Sequence, residues 1–415
     1  MQKIGIDFGT TNTVVAFVQT DGSVRSASFS NSDVFRTVLC FWTEGYRASQ
    51  RLRCAAGPEG VAAYLDDPGE SRLILSMKTY LAQRSFIETR IFGRRFTLQA
   101  LIATFLRALA EAAGFAPGEV RATIGRPVRF AGEFADDAFG EARLREAFNE
   151  AGFADISIAL EPEGAGWRFS RRLRAPTTVL VGDFGGGTSD FSVLRFAPGA
   201  PVCALGHAGV GLAGDALDQR IIEHVICPHL GKNETYRVMG VNDLPVPPEF
   251  FSAFARWHRL SMMRNPRTLR EISEVARLST HPERLNALIN LIEDEQGFAL
   301  YQAVSDAKMA LSKDERTMLR FSNGDFSIIE EIRRSDFDAW IAPDLARMAE
   351  AVDAALSDAS VVAGNIDQVF LTGGTSFVPA VRRLFDQRFG AERVTSGGEL
   401  VSVAEGLALI GMERR

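Results

Sequence analysis

The chain has 415 residues, 46% apolar and 24% charged, with a formal net charge of −6. That length points to two or more lobes with sizeable cores, the composition excludes wholesale disorder, and the acidic balance excludes a generic electrostatic hold on nucleic acid. Cys40, Cys54, Cys203 and Cys227 form no C-x-x-C pair, which argues against a zinc site or a disulfide framework; no run reaches the roughly 18 apolar residues of a membrane span, and the N-terminus shows no signal-peptide core, so a reduced, cytoplasmic location is expected.

Residues 4–8 and 13–18 (IGIDF, TVVAFV) are short β-rich runs around the polar Gly9-Thr10-Thr11-Asn12, and predict a hairpin. Residues 25–75 are mixed and irregular. Apolar residues at helical spacing over 98–113, ended by Gly114, predict a helix. A strand is expected at 120–124, a helix at 141–151 ending on Gly152, and a strand at 156–160. The basic stretch 171–174 before Pro176 reads as a solvated loop. Residues 178–196 give strand, glycine-rich turn, strand, and repeat the opening of the chain: Asp7-Phe8-Gly9 followed by threonines returns as Asp183-Phe184-Gly185-Gly186-Gly187-Thr188. Such a repeat implies duplicated structural units. Helical patterns follow at 216–226, through much of 242–300, at 303–311 and at 338–356. A strand at 368–371 runs into Thr372-Gly373-Gly374-Thr375, and an apolar helix covers 403–410. Strands and helices interleave throughout, so the fold class is α/β.

The repeated hairpins carry the chemistry. Tight turns of glycine and small hydroxyl residues let backbone N–H groups approach phosphate oxygens closely, and the hydroxyls of Thr10, Thr11 and Thr188 add donors. A carboxylate just before each turn, Asp7 and Asp183, suits a hydrated Mg²⁺, which keeps several waters and takes few protein ligands. One such turn is commonly a plain hairpin. Two with the same Asp-Phe-Gly approach would clamp a polyphosphate from both sides. Residues 209–218 (GVGLAGDALD) open a helix whose N-terminus could face a ribose or phosphate.

The motifs IGIDFGTTNT (4–13), VGDFGGGTSDFSV (181–193), LAGDALDQR (212–220) and FLTGGTSFVP (370–379) together resemble the ATPase domain of the DnaK-type heat-shock protein 70 family. The resemblance spans most of the chain. It implies an actin-like ATPase (ribonuclease H-like) fold of two lobes, each with a mixed five-stranded-type sheet flanked by helices. Residues 1–160 would form lobe I and 161–385 lobe II, and 386–415 a hinge-crossing segment returning to lobe I. By the same resemblance Asp7 and Asp183 would hold Mg²⁺ through water. Gly9, Thr10, Thr11, Asn12, Gly185, Gly186, Gly187 and Thr188 would hold the phosphates of ATP, with Thr188 near the γ-phosphate. Gly214, Asp218, Lys308, Met309, Ser312, Gly373, Gly374 and Phe377 would line the nucleoside side. Lys78 (SMKTYL) would approach the γ-phosphate, and Glu161 (LEPEGAG) would help place the attacking water.

Three departures from the family pattern shape the expectation. Ser305 stands where a glutamate is usual, and Met309 and Phe377 where arginines are usual, so apolar contact would replace guanidinium planes around the base. The segment between Asp218 and Ser305 is longer than in the family, with the extra helical material within about 227–300. Its arginines (Arg256, Arg259, Arg264, Arg267, Arg270) lie among Glu271, Glu274 and Glu283 and read as a solvated face. The segment is a candidate protein-docking surface, with no strong sign of nucleic acid. The chain stops soon after 403–410, as in short, YegD-like members without a peptide-binding domain. The expected function is a slowly hydrolysing Mg-ATP switch of the chaperone type, working by lobe closure. The alternatives are a nucleotide-gated interaction module with little hydrolysis and a small-molecule kinase on the same fold, with Asp190 toward the acceptor hydroxyl.

Overall fold

Two hairpins organise the chain. The computed structural model describes residues 1–29, 32–45, 50–67, 70–130, 135–170, 173, 175–198, 202–238, 243–255, 263, 265–293, 297–396 and 402–413. Strands Gln2–Phe8 and Asn12–Val18 pair antiparallel, with Asp7 opposite Val14. Thr177–Phe184 and Ser189–Phe196 pair in the same way, with Asp183 opposite Asp190. The leading strand of each hairpin reads as a near-continuous apolar run because both of its faces are covered. Ile4, Ile6 and Phe8 are buried in one, and Val179, Leu180, Val181 and Phe184 in the other.

Each hairpin grows into a sheet by the same rule. In the first, the order runs Val24–Ser26, Asn12–Val18, Gln2–Phe8, Val120–Arg126, Asp155–Leu160, and the last three strands are parallel. In the second it runs Cys203–Val210, Ser189–Phe196, Thr177–Phe184, Gln368–Thr372, Val394–Ser396, again with the last three parallel. The repeated Asp-Phe-Gly is therefore the visible part of a repeated strand order. The first sheet departs from five strands only by a two-residue addition, Phe35–Arg36, on Asn12–Val18.

Helices supply the crossovers that parallel pairing requires. Leu98–Ala113 begins where Thr97 Oγ1 accepts from Ala100 N–H and ends at Gly114 in the left-handed region, φ 75°. The helix expected from 141 begins earlier, at Asp137, because the Asp136 carboxylate caps it by accepting from Phe139 N–H. Within the irregular stretch 25–75, Leu39–Glu44 pairs with both Arg51–Ala56 and Ser71–Ile74, and the helix Gly57–Asp66 lies between those two in the chain.

The chain divides into two compact units, Met1–Gly214 with Ala346–Arg415, and Asp215–Leu345. The first holds both large sheets. Within it the helices Glu161–Ser170 and Ser402–Glu413 pack on each other, the latter also against Gln2–Phe8, and Leu407, Val403 and Ala165 share a core with Val179, Val181 and Phe196. Their approach depends on absent side chains: a Cβ on Gly406 would lie 1.7 Å from the Gly164 carbonyl oxygen, and one on Gly5 2.1 Å from that of Ala404. The second unit is mainly helical. Pro248–Phe254, Pro266–Leu278 and Pro282–Glu293 each start on a proline, which has no N–H to leave unpaired in the first turn. The hairpin Arg316–Asn323 with Phe326–Arg333 follows the helix Gly297–Leu311. Of the arginines singled out there, Arg267 pairs with Glu271 and Arg270 donates to the Pro266 carbonyl, as a solvated face would. Arg256, Arg259 and Arg264, like Arg171, Arg172 and Arg174, lie outside the described residues.

Because both partners at the helix crossing are backbone, no side chain can swing away from an added methyl. Gly406→Ala is expected to lower stability by about 1–3 kcal/mol, as overpacking does. Thermal and urea unfolding measure it, and an unchanged midpoint would contradict the crossing.

Candidate functional site

The first turn is held by its own backbone and by the neighbouring chain. A Cβ on Gly9 would come within 2.2 Å of the Asn12 carbonyl oxygen, so only glycine closes the turn after Phe8. Thr37 N–H donates to the Thr11 carbonyl at 2.8 Å, Thr13 and Thr37 share a buried hydroxyl contact at 2.8 Å, and Arg36 donates to Asn12 Oδ1. Gly9, Thr10, Thr11 and Asn12 keep partial exposure. The second turn is closed by Gly185 N–H donating to the Thr188 carbonyl at 2.9 Å. The Gly373 loop backs onto it: at φ +87°, a Cβ there would sit 2.0 Å from the Phe184 carbonyl oxygen. Ser189 Oγ donates to the Leu212 carbonyl at 2.7 Å and ties in the 209–214 segment.

Five charged residues of this unit, Asp7, Lys78, Glu161, Asp183 and Asp190, interact with one another. Lys78 lies on the short 3₁₀ turn Met77–Tyr80, and Glu161 is the first residue of the helix Glu161–Ser170. Their side chains, both largely buried, meet at 2.6 Å. Asp7, from the first hairpin, interacts electrostatically with Glu161, Lys78 and Asp183. Burial, reinforced by the like charges of Glu161 and Asp183, pushes its carboxyl up to about 8. Burial and Glu161 likewise push Asp183 up to about 7, and burial with Asp183 and Glu161 takes Asp190 to about 7. Burial pulls the Lys78 ammonium down, but Glu161, Asp7 and Asp183 more than offset this and hold its pKa above the ordinary value. Residues far apart in sequence thus converge on one ammonium.

The remaining motif residues fall in two places. Gly374 and Phe377 are exposed in the first unit, and Gly214 is buried at its edge. In the second unit Asp218 and Lys308 pair at 2.8 Å, Ser312 Oγ donates to the Lys308 carbonyl, Met309 is exposed and Ser305 is half-buried. Sequence reasoning missed His207. In register opposite Ser192, its Nδ1 lies 3.1 Å from Ser192 Oγ and its Nε2 3.8 Å from Asp190 Oδ1. Burial, with Arg129 nearby, drives the imidazole down to about 4. The strand alternation that puts Asp190 and Ser192 on one face was the available signal, but the partner strand carrying His207 has no motif to announce it.

Two sheets of one strand order, each led by an Asp-Phe-Gly hairpin, make this an actin-like ATPase fold. The Hsp70 protein family model matches residues 286–412. The chain is 23% identical over 421 residues to the chaperone protein DnaK of Thermus thermophilus, covering 98% of this chain and 60% of the relative. It is 26% identical over 411 residues to DnaK of Thermotoga maritima, with 98% and 58% covered, and 26% identical over 404 residues to DnaK of Cyanophora paradoxa, with 92% and 55% covered. The chain is thus similar to DnaK-type proteins of the Hsp70 family, and it spans about 60% of the length of the first two of these relatives. Among the described residues no helix is long and apolar enough to cross a membrane.

The raised carboxyl pKa values fix a sign. An acid whose folded pKa exceeds its unfolded one holds its proton longer in the folded state, so stability is lost as pH rises through the folded value. His207 acts oppositely, but only below the ordinary imidazole value of 6.5. In a chelator, the unfolding midpoint is therefore expected to fall between about pH 6.5 and pH 8.5, and Asp7→Asn to flatten that slope. Thermal scans at fixed ionic strength test this, and a midpoint that climbs across the window contradicts it.

Proposed function

We propose that the chain is a Mg-ATP-binding, slowly hydrolysing nucleotide-binding domain of the chaperone type, acting as a conformational switch. The similarity to DnaK supports the chaperone-type nucleotide-binding domain. The observation that carries the rest is the convergence of Asp7, Asp183 and Glu161 on Lys78 beside two glycine-rich turns.

Two features favour a polyphosphate and a hydrated cation. A Cβ on Gly187, Gly211 or Gly374 would meet nothing within 4 Å, which leaves room for a ligand to approach the backbone closely. Lys78 is engaged with Glu161, which leaves Asp7 and Asp183 short of positive charge. No group of three or more His, Cys, Asp or Glu among the described residues is arranged to cage a metal. Two carboxylates without a cage match a divalent ion that keeps its waters. Bound there, Mg²⁺ would neutralise charge on the phosphate oxygens.

In this reading Thr10, Thr11 and the N–H groups of Gly186, Gly187 and Thr188 bind the β- and γ-phosphates, while Gly185, whose N–H is taken by the Thr188 carbonyl, closes the turn that presents them. Lys78 stabilises charge developing on the γ-phosphoryl group, and Glu161 orients the attacking water while holding Lys78. Little covalent work is asked of the protein; positioning and electrostatics supply the rate. The sequence motifs assign Asp218, Lys308, Met309 and Ser312 to the nucleoside, as they do Phe377. A second reading, transfer to a small hydroxyl compound, is favoured by Asp190, whose carboxyl near 7 would suit a general base.

Lys78→Ala is expected to slow single-turnover phosphate release about 100–1000-fold, the loss typical of one electrostatic stabiliser. ATP affinity by calorimetry should stay within about threefold; unchanged turnover removes Lys78 from the mechanism. Asp7→Ala should abolish the Mg²⁺ dependence of ATP binding, and equal dependence in both proteins refutes the metal assignment. Phosphorylated glycerol or sugar in place of free phosphate would establish the kinase reading.

A further inference from the structure

We infer that Arg143 is a positioning residue for Lys78. The inference rests on the ATPase reading above and extends it to a residue that touches neither nucleotide nor the carboxylate cluster.

Lys78 has weak local support. Its 3₁₀ turn is four residues long and belongs to no sheet; it is preceded by Ser76 in the left-handed region at φ 53°, with no side-chain cap. Short 3₁₀ turns have poor hydrogen-bond geometry, and here the Tyr80 and Gln83 carbonyls accept single backbone N–H groups at 3.2 Å. The end of the turn and the residues just after it are tied further by one side chain. Arg143, only 3% exposed on the helix Asp137–Glu150, directs Nη1 at the carbonyl oxygens of Tyr80, Leu81 and Gln83, at 3.2, 3.3 and 3.3 Å. Burial lowers its pKa and nearby Glu146 opposes this, but no carboxylate forms an ion pair with it among the described residues. A buried guanidinium with no carboxylate partner among the described residues is a poor contributor to stability. Its geometry fits a different purpose, the fixing of the chain just after Lys78.

The start of the same helix adds a second tie. Asp136 N–H donates to the Ala82 carbonyl at 3.2 Å, and its carboxylate accepts from Arg84 at 2.6 and 3.1 Å. The Phe139 ring lies beneath both guanidinium groups, 4.6 Å from that of Arg84 and 5.2 Å from that of Arg143. Residues 80–84 are thus clamped by one helix end, and the clamp sets where the Lys78 ammonium meets Glu161. A misplacement of about 1 Å in such a group can slow a reaction by about 100-fold.

The test is a double-mutant cycle on the full chain, with Arg143→Met, Arg143→Lys and Arg84→Ala each made alone and with Lys78→Ala. Single-turnover phosphate release should fall about 10–100-fold in Arg143→Met, with ATP affinity within about threefold, and Arg143→Lys should restore most of the rate. In the Lys78→Ala background Arg143→Met should add less than about twofold, because the group it positions is gone. Additive losses, or an unchanged rate in Arg143→Met, overturn the inference. If Arg143→Met does not fold, Arg84→Ala at the exposed end of the clamp carries the same comparison. A loss confined to the Lys78 background supports the inference, and equal losses in both backgrounds overturn it. If the wild-type chain neither binds nor hydrolyses ATP, the nucleotide reading fails by itself. The clamp is then read from ¹³C-methylated lysine resonances: that of Lys78 is expected to shift in Arg143→Met and Arg84→Ala while those of other lysines stay, and an unmoved Lys78 signal overturns the inference.

Discussion

The gathering of carboxyl groups around Lys78 is the constraint on which the rest of this structure turns. Buried like charges oppose one another, and one ammonium cannot satisfy Glu161, Asp7 and Asp183 together. The Lys78–Glu161 contact at 2.6 Å settles one carboxylate and leaves two in want of a cation. Burial first, and the neighbouring like charges second, raise the pKa values of Asp7, Asp183 and Asp190. In the proposed reading a metal-bound polyphosphate would meet that demand for positive charge, with its oxygens held at the two glycine-rich turns.

The surrounding fold serves to hold these groups in register. Asp7 and Asp183 close the leading strands of two sheets with one strand order, so each carboxylate reaches the same position relative to its turn. Glu161 begins a helix that packs against Ser402–Glu413 with no side chain between Gly164 and Gly406, and Gly125 leaves room for its methylenes. Lys78 alone stands on an irregular turn, and the helix Asp137–Glu150 supplies the support that no strand provides.

Much of this was legible in the residues, for identifiable reasons. The hairpins showed because Asp-Phe-Gly and threonines must recur wherever the same turn recurs, and Leu98–Ala113 showed because its apolar period ends on Gly114. The sheet formed by Leu39–Glu44, Arg51–Ala56 and Ser71–Ile74 did not, since its exposed strands lack a clear alternation and its pairing is set by the tertiary core. The start of the helix at Asp137 turned on one cap, Asp136, that lay outside the periodic run. Lys78 and Glu161 were each singled out by family resemblance, but their contact with one another was not foreseen, because contacts across 83 residues of chain leave no local pattern. His207 and Arg143 could not be singled out at all: what distinguishes them is burial beside particular partners, a property of the folded chain.

The central claim is that the turns at 9–12 and 185–188 hold one triphosphate between them. A crystal structure of the chain with Mg²⁺ and a non-hydrolysable ATP analogue tests it most directly. The account predicts phosphate oxygens within hydrogen-bonding distance of both turns and the metal linked to Asp7 and Asp183 through water. A bound nucleotide whose phosphates touch only one turn, or neither, would contradict it.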